Sequence, residues 1–378
     1  MTVQPLIALD LGSTKVACAI GLPRDGASGF ELLGSAVVAY PVLSESWLSD
    51  PLMVSRTIEA ALEATAVSAD FHRALVTIAP PALVSERVQT SLHLGDEPIT
   101  VRAQDLLRLQ ERAVDQVVGV DREPLMVERL GCAGNGFTGV RDPRGLSATR
   151  LLGTFHLVTM PVSARRAVVQ AVESAGLEVA QLTLTMTATL ASMAEEGVHQ
   201  KRVLMIDVGG LTTDVALWVD GVLQAFAVVP WGGLKAAGAL AAALQVTMEQ
   251  AATWSLEGAA CHKPEVPAYL DEQWRLIERT IHGILEGQPK PDLALLAGRG
   301  ALIDGFAEWV ERTTGMPTLL CRSPRTSRVG DLSRQVALSP AIGFLEQATR
   351  DGQPTLAQPE HLLGRVVSRT RTILAEYF

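Results

Sequence analysis

The sequence predicts an α/β protein of two domains, in which each half of the chain contains the same succession of strand, tight turn and strand. The chain has 378 residues, which is too long for one simple hydrophobic core. An apolar run, Val203–Ile206, leads into the polar turn Asp207–Asp214 (DVGGLTTD), and a second apolar run follows. Near the N-terminus, Leu6–Leu9 leads into Asp10–Lys15 (DLGSTK) in the same way.

Both turns have a composition that suits a phosphate-binding loop. Each follows a continuous apolar run, which is typical of a strand buried on both faces. Glycines allow the backbone to turn sharply and to approach a bulky anion, hydroxyl groups add donors, and the aspartates can orient a metal-bound water. For either loop alone an ordinary hairpin turn is the alternative. Because the two loops have matching flanks, we interpret them as facing one phosphate chain across a cleft.

Composition excludes several classes of function. The net charge of −9 argues against binding of nucleic acid by general electrostatics. The four cysteines are scattered without a Cys-x-x-Cys pair, which favours a reducing, cytoplasmic setting and argues against a zinc site. No apolar run of about 18 residues is present, so no membrane-spanning segment is expected. The N-terminus lacks a charged n-region, and we expect no signal peptide.

Periodicity and turn residues predict further elements along the chain. A strand Ala74–Ile78, a strand Leu151–Val158 and a strand Leu177–Leu184 precede the second loop, and Ala225–Val229 and Leu293–Leu296 follow it. Helices are predicted over 50–67, 103–117, 162–175, 185–196 and 302–313, and residues 234–290 are predicted to be largely helical.

Several motifs together resemble a known family. The two loops resemble the phosphate-1 and phosphate-2 loops of the actin, Hsp70 and sugar-kinase superfamily. Within that superfamily, the string 139–151 (GVRDPRGLSATRL), followed by His156–Thr159, resembles the bacterial cell-division FtsA family. Pro230–Gly233 resembles the Pro-x-Gly-Gly turn of that family, and the glycine turn Ala297–Ala301 (AGRGA) resembles its adenosine motif.

The resemblance implies a two-domain actin-like ATPase fold with an α+β insert and a C-terminal amphipathic helix. The implied division is subdomain 1A at 1–82 and 161–200, subdomain 1C at 83–160, subdomain 2A at 201–232 and 291–348, subdomain 2B at 233–290, a linker at 349–360, and a membrane-targeting helix at 361–378.

The resemblance also implies a site for ATP and Mg²⁺, with at most weak ATPase activity. Lys15 and the loop amides would hold the β- and γ-phosphates, and Asp10 and Asp207 would position Mg²⁺ through its waters, because Mg²⁺ keeps much of its hydration shell. The expected nucleotide-binding residues are Asp10, Gly12, Ser13, Thr14, Lys15, Asp207, Gly209, Gly210, Thr212, Thr213, Gly232, Gly233, Gly298 and Gly300.

The sequence departs from the family pattern at four positions. Leu211 stands where the second phosphate loop usually has a third glycine, and Arg299 stands in the middle of the adenosine motif. Trp254 occupies the place of a lysine near the adenosine, and Met186 the place of a proline in a connecting helix. Arg299 is placed either to reach phosphate or to fill the pocket, and Trp254 to stack on a base. These departures put efficient hydrolysis in doubt.

The C-terminal stretch 361–378 predicts an amphipathic helix after a polar linker with two prolines. A basic amphipathic terminal helix is typical of an anchor on an anionic membrane surface, and a helix docked on its own domain is the alternative. The expected membrane contacts are Leu362, Leu363, Val366, Val367, Ile373, Leu374 and Phe378, with Arg365 and Arg369 facing the headgroups.

The function implied by the family is assembly and tethering in cell division. Such a protein would bind ATP, form a homo-oligomer or filament, bind the FtsZ C-terminal tail through the 2B region, meet other divisome proteins, and lie on the cytoplasmic face of the cell membrane at the division site. A nucleotide-free structural adaptor, a pilus-assembly scaffold resembling PilM, and a sugar or acid kinase are the alternatives.

Overall fold

The computed structural model describes residues 4–24, 29–42, 44, 46–69, 71–257 and 265–350, with side chains throughout except at Glu195 and at 253–269. These residues form two compact units. Unit 1 comprises the described residues up to Leu83 and those from Arg166 onward, and unit 2 comprises Val84–Arg165. The predicted helix 361–378 and the side chain of Trp254 lie outside what is described. None of the described helices is long and apolar enough to cross a membrane.

The N-terminal part of unit 1 follows the predicted succession of elements. Asp50 accepts a hydrogen bond from the backbone N–H of Met53, and a proline in the first turn has no N–H group that needs an acceptor, so the first helix begins there. The elements are strands β1 (Leu6–Leu11), β2 (Lys15–Pro23) and β3 (Phe30–Ala39), helix α1 (Pro51–Ala64) and strand β4 (Arg73–Ile78).

Unit 2 is a four-stranded sheet, in the order β5-β10-β7-β8, and one long helix. The helix has the predicted bounds, and the Asp105 carboxylate accepts a hydrogen bond from the backbone N–H of Arg102 at its start. Its apolar face, with Leu106 and Leu109, packs against Phe155 of the sheet. The elements are β5 (Val84–His93), β6 (Ile99–Thr100), α2 (Ala103–Val117), β7 (Arg122–Gly134), β8 (Phe137–Val140), β9 (Ser147–Ala148) and β10 (Arg150–Pro161).

The remaining elements complete unit 1 and include the predicted helical region after the second loop. They are α3 (Val162–Ser174), β11 (Glu178–Leu184), α4 (Thr185–Ala191), β12 (Arg202–Val208), β13 (Thr213–Val219), β14 (Val222–Val229), α5 (Gly233–Leu244), α6 (Met248–Glu257), α7 (Glu265–Leu285), β15 (Leu293–Ala297), α8 (Phe306–Thr314), β16 (Thr318–Leu320) and α9 (Leu332–Ala348).

Unit 1 contains two five-stranded sheets with the same topology. Their orders are β3-β2-β1-β4-β11 and β14-β13-β12-β15-β16. In each, the first strand pairs antiparallel with the second and parallel with the fourth. The register sets Asp10 beside Thr77 in one sheet and Asp207 beside Ala297 in the other. The predicted duplication of the strand-turn-strand design is therefore confirmed, and it extends to the whole sheet.

Several elements differ from the sequence prediction; helix α1, for example, ends at Ala64 rather than Val67. Helix α4 ends at Ala191 rather than near Glu196, because the chain passes into short 3₁₀ turns separated by the left-handed Gly197. Helix α8 begins at Phe306 rather than Leu302, because a 3₁₀ turn over Arg299–Leu302 and the left-handed Gly305 come first. Strand β16 was not predicted, since three residues are too few to show a period.

Candidate functional site: the cleft between the two loops

The first loop, Asp10–Lys15, carries its own counter-charge. Asp10 is the penultimate residue of β1 and Lys15 is the first of β2, and both residues are buried, with 3% and 8% exposed. The Lys15 ammonium donates to the Asp10 carboxylate and to the carbonyl oxygen of Ala337 at 3.2 Å. The same carboxylate accepts from the hydroxyls of Thr77 at 2.7 Å and Thr185 at 3.3 Å. Loop 1 is thus neutralised by groups of this chain.

The second loop, Asp207–Asp214, carries two acids whose environment disfavours charge. Burial, followed by the charge of Asp10, raises the pKa of Asp207 to about 7, although Lys15 acts in the opposite direction. Burial, followed by the charge of Asp207, raises the pKa of Asp214 well above its usual range. Asp214 is only 3% exposed, and its Oδ2 accepts no hydrogen bond from the described residues. Loop 2 therefore contains a buried carboxylate oxygen that the described residues leave without a hydrogen bond.

The two loops touch each other at their tips. A Cβ atom added at Gly210 would overlap Cγ2 of Thr14 and would lie 2.8 Å from Oγ of Ser13. Only a residue without a side chain fits at this approach. Because the two loops come from opposite sheets of unit 1, a ligand at this point contacts both halves of the duplicated design.

The N-terminus of α5 is occupied by loop 2. The backbone N–H groups of Gly233 and Leu234 donate to the carbonyl oxygens of Gly209 and Gly210, at 2.9 and 2.8 Å. These donors would otherwise have no partner within the helix, and here they fix the loop. The hydroxyl of Thr213, which is fully buried, donates to the carbonyl oxygen of Trp231 at 2.8 Å.

The glycine turn after β15 closes over loop 2. Gly298 has a φ of 74°, and a Cβ atom there would overlap the carbonyl oxygen of Val208 and a carboxylate oxygen of Asp207. The turn therefore needs glycine for its conformation and for its close approach. The next residue, Arg299, donates from Nη2 to Oγ1 of Thr14 at 3.2 Å. This side chain spans from the second half of unit 1 to the first.

These segments line one cavity of about 830 Å³. All but two of the sequence-predicted nucleotide residues line it, namely Asp10, Gly12, Ser13, Thr14, Lys15, Asp207, Gly209, Gly210, Thr212, Gly233, Gly298 and Gly300. Thr213 is outside the lining, because its hydroxyl is directed to Trp231. Gly232 is also outside, where it packs against the carbonyl oxygens of Gly209 and Gly210.

Two residues of the cleft were not expected from the sequence, namely Thr77 and Thr185, which hold the Asp10 carboxylate. Arg299, which the sequence analysis had singled out, reaches Thr14. A signal was available for Thr77, because it is a polar residue within an otherwise apolar predicted strand. The expected effect of Leu211 changes as well. Residue 211 is not among the positions of positive φ and does not line the cavity, so a leucine is accommodated there without backbone strain.

The acids of loop 2 fit a hydrated divalent cation better than the acid of loop 1. Among the described residues, no group of three or more His, Cys, Asp or Glu is placed to hold a metal ion directly. Asp207, which is half-buried and lines the cavity, can accept from metal-bound water, and Asp214 lies beside it on the neighbouring strand. Asp10 already accepts from three groups of the protein. The donor set of the cleft therefore suits Mg²⁺ held through its waters, chiefly by loop 2.

The paired sheets and the cleft between their first turns define an actin-like ATPase fold. The type IV pilus PilM–PilN complex contains a chain with a TM-score of 0.68 and 15% identity, covering 90% of this chain and 98% of that one. The ethanolamine utilization protein EutJ from Carboxydothermus hydrogenoformans has a TM-score of 0.55 and 15% identity, covering 91% and 89%. At these identities the likeness concerns the fold alone.

Within that class, the resemblance to FtsA is confirmed. Residues 82–159 match the family model of the SHS2 domain inserted in FtsA. The cell division protein FtsA of Pseudomonas aeruginosa is 26% identical over 249 residues, or 65% of this chain and 59% of that protein. FtsA of Escherichia coli K12 is 27% identical over 233 residues, or 60% and 54%. The aligned region thus spans little more than half of each relative.

Proposed function

We propose that this protein binds ATP with Mg²⁺ in the cleft and acts in cell division as an FtsA-like assembly factor. The observation that carries the nucleotide proposal is the cavity itself. Two glycine-containing loops from duplicated sheets and a third glycine turn line it, and Asp207 and Asp214 are among its acidic lining residues. A polyphosphate with its metal supplies the positive charge that these acids lack and the anion that the loops suit.

In this proposal each loop has a different task. Lys15 and the amides of loop 1 contact the β- and γ-phosphates, which requires the Lys15 ammonium to be shared with Asp10. Asp207 and Asp214 accept hydrogen bonds from the waters of Mg²⁺. Asp10 contributes less to holding the metal. When bound, Mg²⁺ would neutralise charge on the phosphates. We expect hydrolysis to be slow, since the candidate bases among the described lining residues are the carboxylates of Asp10, Asp207, Asp214 and Glu249.

The nucleotide proposal is tested by thermal melting of the full chain with and without Mg-ATP. Ligand at about 100 times its Kd adds about 2.7 kcal/mol to the free energy of unfolding, which raises the melting temperature by several degrees. We expect Asp207→Ala to abolish the shift. Asp304→Ala, which removes an exposed acid from the turn before α8, serves as the control and should retain the shift. A wild-type chain that shows no shift would favour the nucleotide-free adaptor.

The division proposal is supported by the match to the inserted domain and by the relatives named cell division protein FtsA. We propose that the chain self-assembles, binds the FtsZ C-terminal tail through the helices of 233–290, meets other divisome proteins, and tethers FtsZ filaments to the cytoplasmic face of the membrane through residues 361–378. ATP would act as a switch between conformations rather than as a fuel.

The tether is tested by flotation with anionic liposomes. We expect the full chain to float and a 1–360 truncation to remain in the soluble fraction. A variant with Arg365→Glu and Arg369→Glu should float less, because it loses attraction to anionic lipid of about 1 kcal/mol for each arginine. Equal flotation of all three proteins would overturn the tether.

The PilM-like scaffold remains a second candidate because of the fold match to the PilM–PilN complex. The two candidates differ in the peptide that they bind. An FtsZ-tail peptide that binds the chain with measurable affinity supports the division proposal. Binding of a PilN peptide in its place supports the scaffold.

A further inference from the structure

Arg299 is a half-buried cation with too few partners. A guanidinium has five N–H donors and no acceptor. Among the described residues, its one hydrogen bond goes to the neutral hydroxyl of Thr14, and no carboxylate oxygen lies within ion-pair distance. Burial lowers the pKa of Arg299, and the more distant charge of Asp331 acts in the opposite direction. A partly desolvated charge with a single neutral partner is costly unless a counter-charge arrives.

The position of Arg299 shows where that counter-charge would lie. Gly298 has a positive φ, which turns the chain so that residue 299 lines the cavity. The side chain then reaches Thr14, which itself lies against Gly210 of loop 2. The guanidinium therefore ends where the two loops meet.

Lys15 is the other cation among the described residues that line the cavity, and it is less free than Arg299 to bind an added anion. Lys15 is already paired with Asp10 and bonded to the carbonyl oxygen of Ala337. Arg299 has only a hydroxyl to exchange. A planar guanidinium also matches two oxygens of one phosphate group, which a point-charge ammonium does not.

We propose that Arg299 is a ligand for the β- or γ-phosphate of a bound nucleotide, for which it exchanges the hydroxyl of Thr14. This inference rests on the proposed nucleotide site and makes it specific. Nucleoside di- and triphosphates gain the contact, and monophosphates do not, because Thr14 belongs to the loop that faces the terminal phosphates. In the absence of nucleotide the same side chain holds the two halves of the cleft together.

The alternative is that Arg299 blocks the phosphate position. If the guanidinium filled the phosphate position without binding phosphate, its removal would tighten binding of every nucleotide. The two roles therefore predict changes of opposite sign for the same variant, and one titration series separates them.

The experiment is isothermal titration of the full chain with ATP, ADP and AMP in Mg²⁺ buffer. We expect Arg299→Ala to weaken binding of ATP and ADP by about 10- to 100-fold and to leave AMP binding unchanged, as for loss of a charge-assisted hydrogen bond. Arg299→Lys keeps the positive charge but loses the planar set of N–H donors. Its affinity for ATP and ADP should lie between that of the wild type and that of Arg299→Ala. Arg312→Ala removes an exposed arginine of α8 and serves as the matched control.

The outcomes separate this inference from the proposed function. Wild-type affinity for ATP in Arg299→Ala, or tighter binding, overturns the phosphate-ligand role while leaving the nucleotide site intact. Equal weakening of ATP and AMP also overturns it, because the contact would then not involve the terminal phosphates. No ATP binding by the wild-type chain overturns both proposals. Melting temperatures of each variant without nucleotide establish that the compared proteins are folded.

Discussion

The two loops of the cleft have the same strand-turn-strand design, but the surroundings of their acidic side chains differ. Each is a tight turn between antiparallel strands, and each starts with an aspartate at the end of a buried strand. The loop 1 aspartate has a lysine and two threonines as partners. The loop 2 aspartates have raised pKa values, and one oxygen of Asp214 has no partner among the described residues.

The difference follows from what lies beside each first strand. In the first sheet the neighbouring strand β4 places Thr77 beside Asp10, whereas in the second sheet β15 places Ala297 beside Asp207. Loop 1 also ends with Lys15, and loop 2 ends with a second acid, Asp214. The acid of loop 1 is paired with a cation of this chain, whereas the acids of loop 2 form no ion pair with the described residues and favour the neutral form. Duplication of a fold thus does not duplicate its chemistry.

The largest effect is expected when loop 1 loses its counter-charge. Lys15→Met should lower the free energy of unfolding by about 3–5 kcal/mol at pH 7.5, because it leaves the buried Asp10 carboxylate without its cation. Urea unfolding measures the change. Asp10→Asn in the same background should restore most of the loss. A Lys15→Met variant as stable as wild type would show that the two loops do not differ in this respect.

The next effect concerns loop 2 and depends on pH. Since the pKa of Asp207 is raised to about 7 from 3.8, its neutral form favours the folded state. That stabilisation is complete below pH 3.8 and is lost as the pH rises through 7. Asp207→Asn, which stays neutral, should therefore be more stable than wild type at pH 8. The expected gain is a few kcal/mol, at about 1.4 kcal/mol for each unit of displacement, and it should vanish near pH 4.

The measurement is urea unfolding of both proteins from pH 4 to pH 8, in chelator and without nucleotide. Asp304→Asn, at an exposed position, provides the comparison for a general loss of negative charge. A difference between wild type and Asp207→Asn that is constant across the range would contradict the environment described for loop 2.

A smaller effect tests how tightly the glycine turn closes on loop 2. Gly298→Ala should cost more than Gly305→Ala by about 1–3 kcal/mol. Both positions have positive φ, at 74° and 81°, but Gly305 lies in the left-handed helical region, whereas Gly298, with a ψ of 153°, lies in a region that is essentially confined to glycine and adds to the cost there. Only at Gly298 would the new Cβ overlap Val208 and Asp207, whereas nothing lies within 4 Å at Gly305. Equal melting temperatures for the two variants would show that the approach is not restrictive.

Local sequence patterns predicted both loops, the longer strands of unit 1 and most of the helices. Continuous apolar runs ending in Asp and Gly are local patterns, and they located both loops and the strands beside them. The helix over 103–117 was predicted with its observed bounds because its apolar period and its start are local as well. The predicted end of α4 and the predicted start of α8 were wrong. Left-handed glycines and 3₁₀ turns interrupt the helix there without altering the composition of the sequence.

Which polar groups meet in the cleft could not be predicted from the sequence. The Lys15 ammonium lies between Asp10 and the carbonyl oxygen of Ala337, far along the chain, and Arg299 reaches Thr14 in the opposite half of unit 1. Thr213 has a hydroxyl group of the kind that contacts phosphate, yet this hydroxyl donates to the carbonyl oxygen of Trp231. The physical reason is that periodicity records which face of an element is buried, whereas the partner of a buried polar group depends on elements brought together by folding.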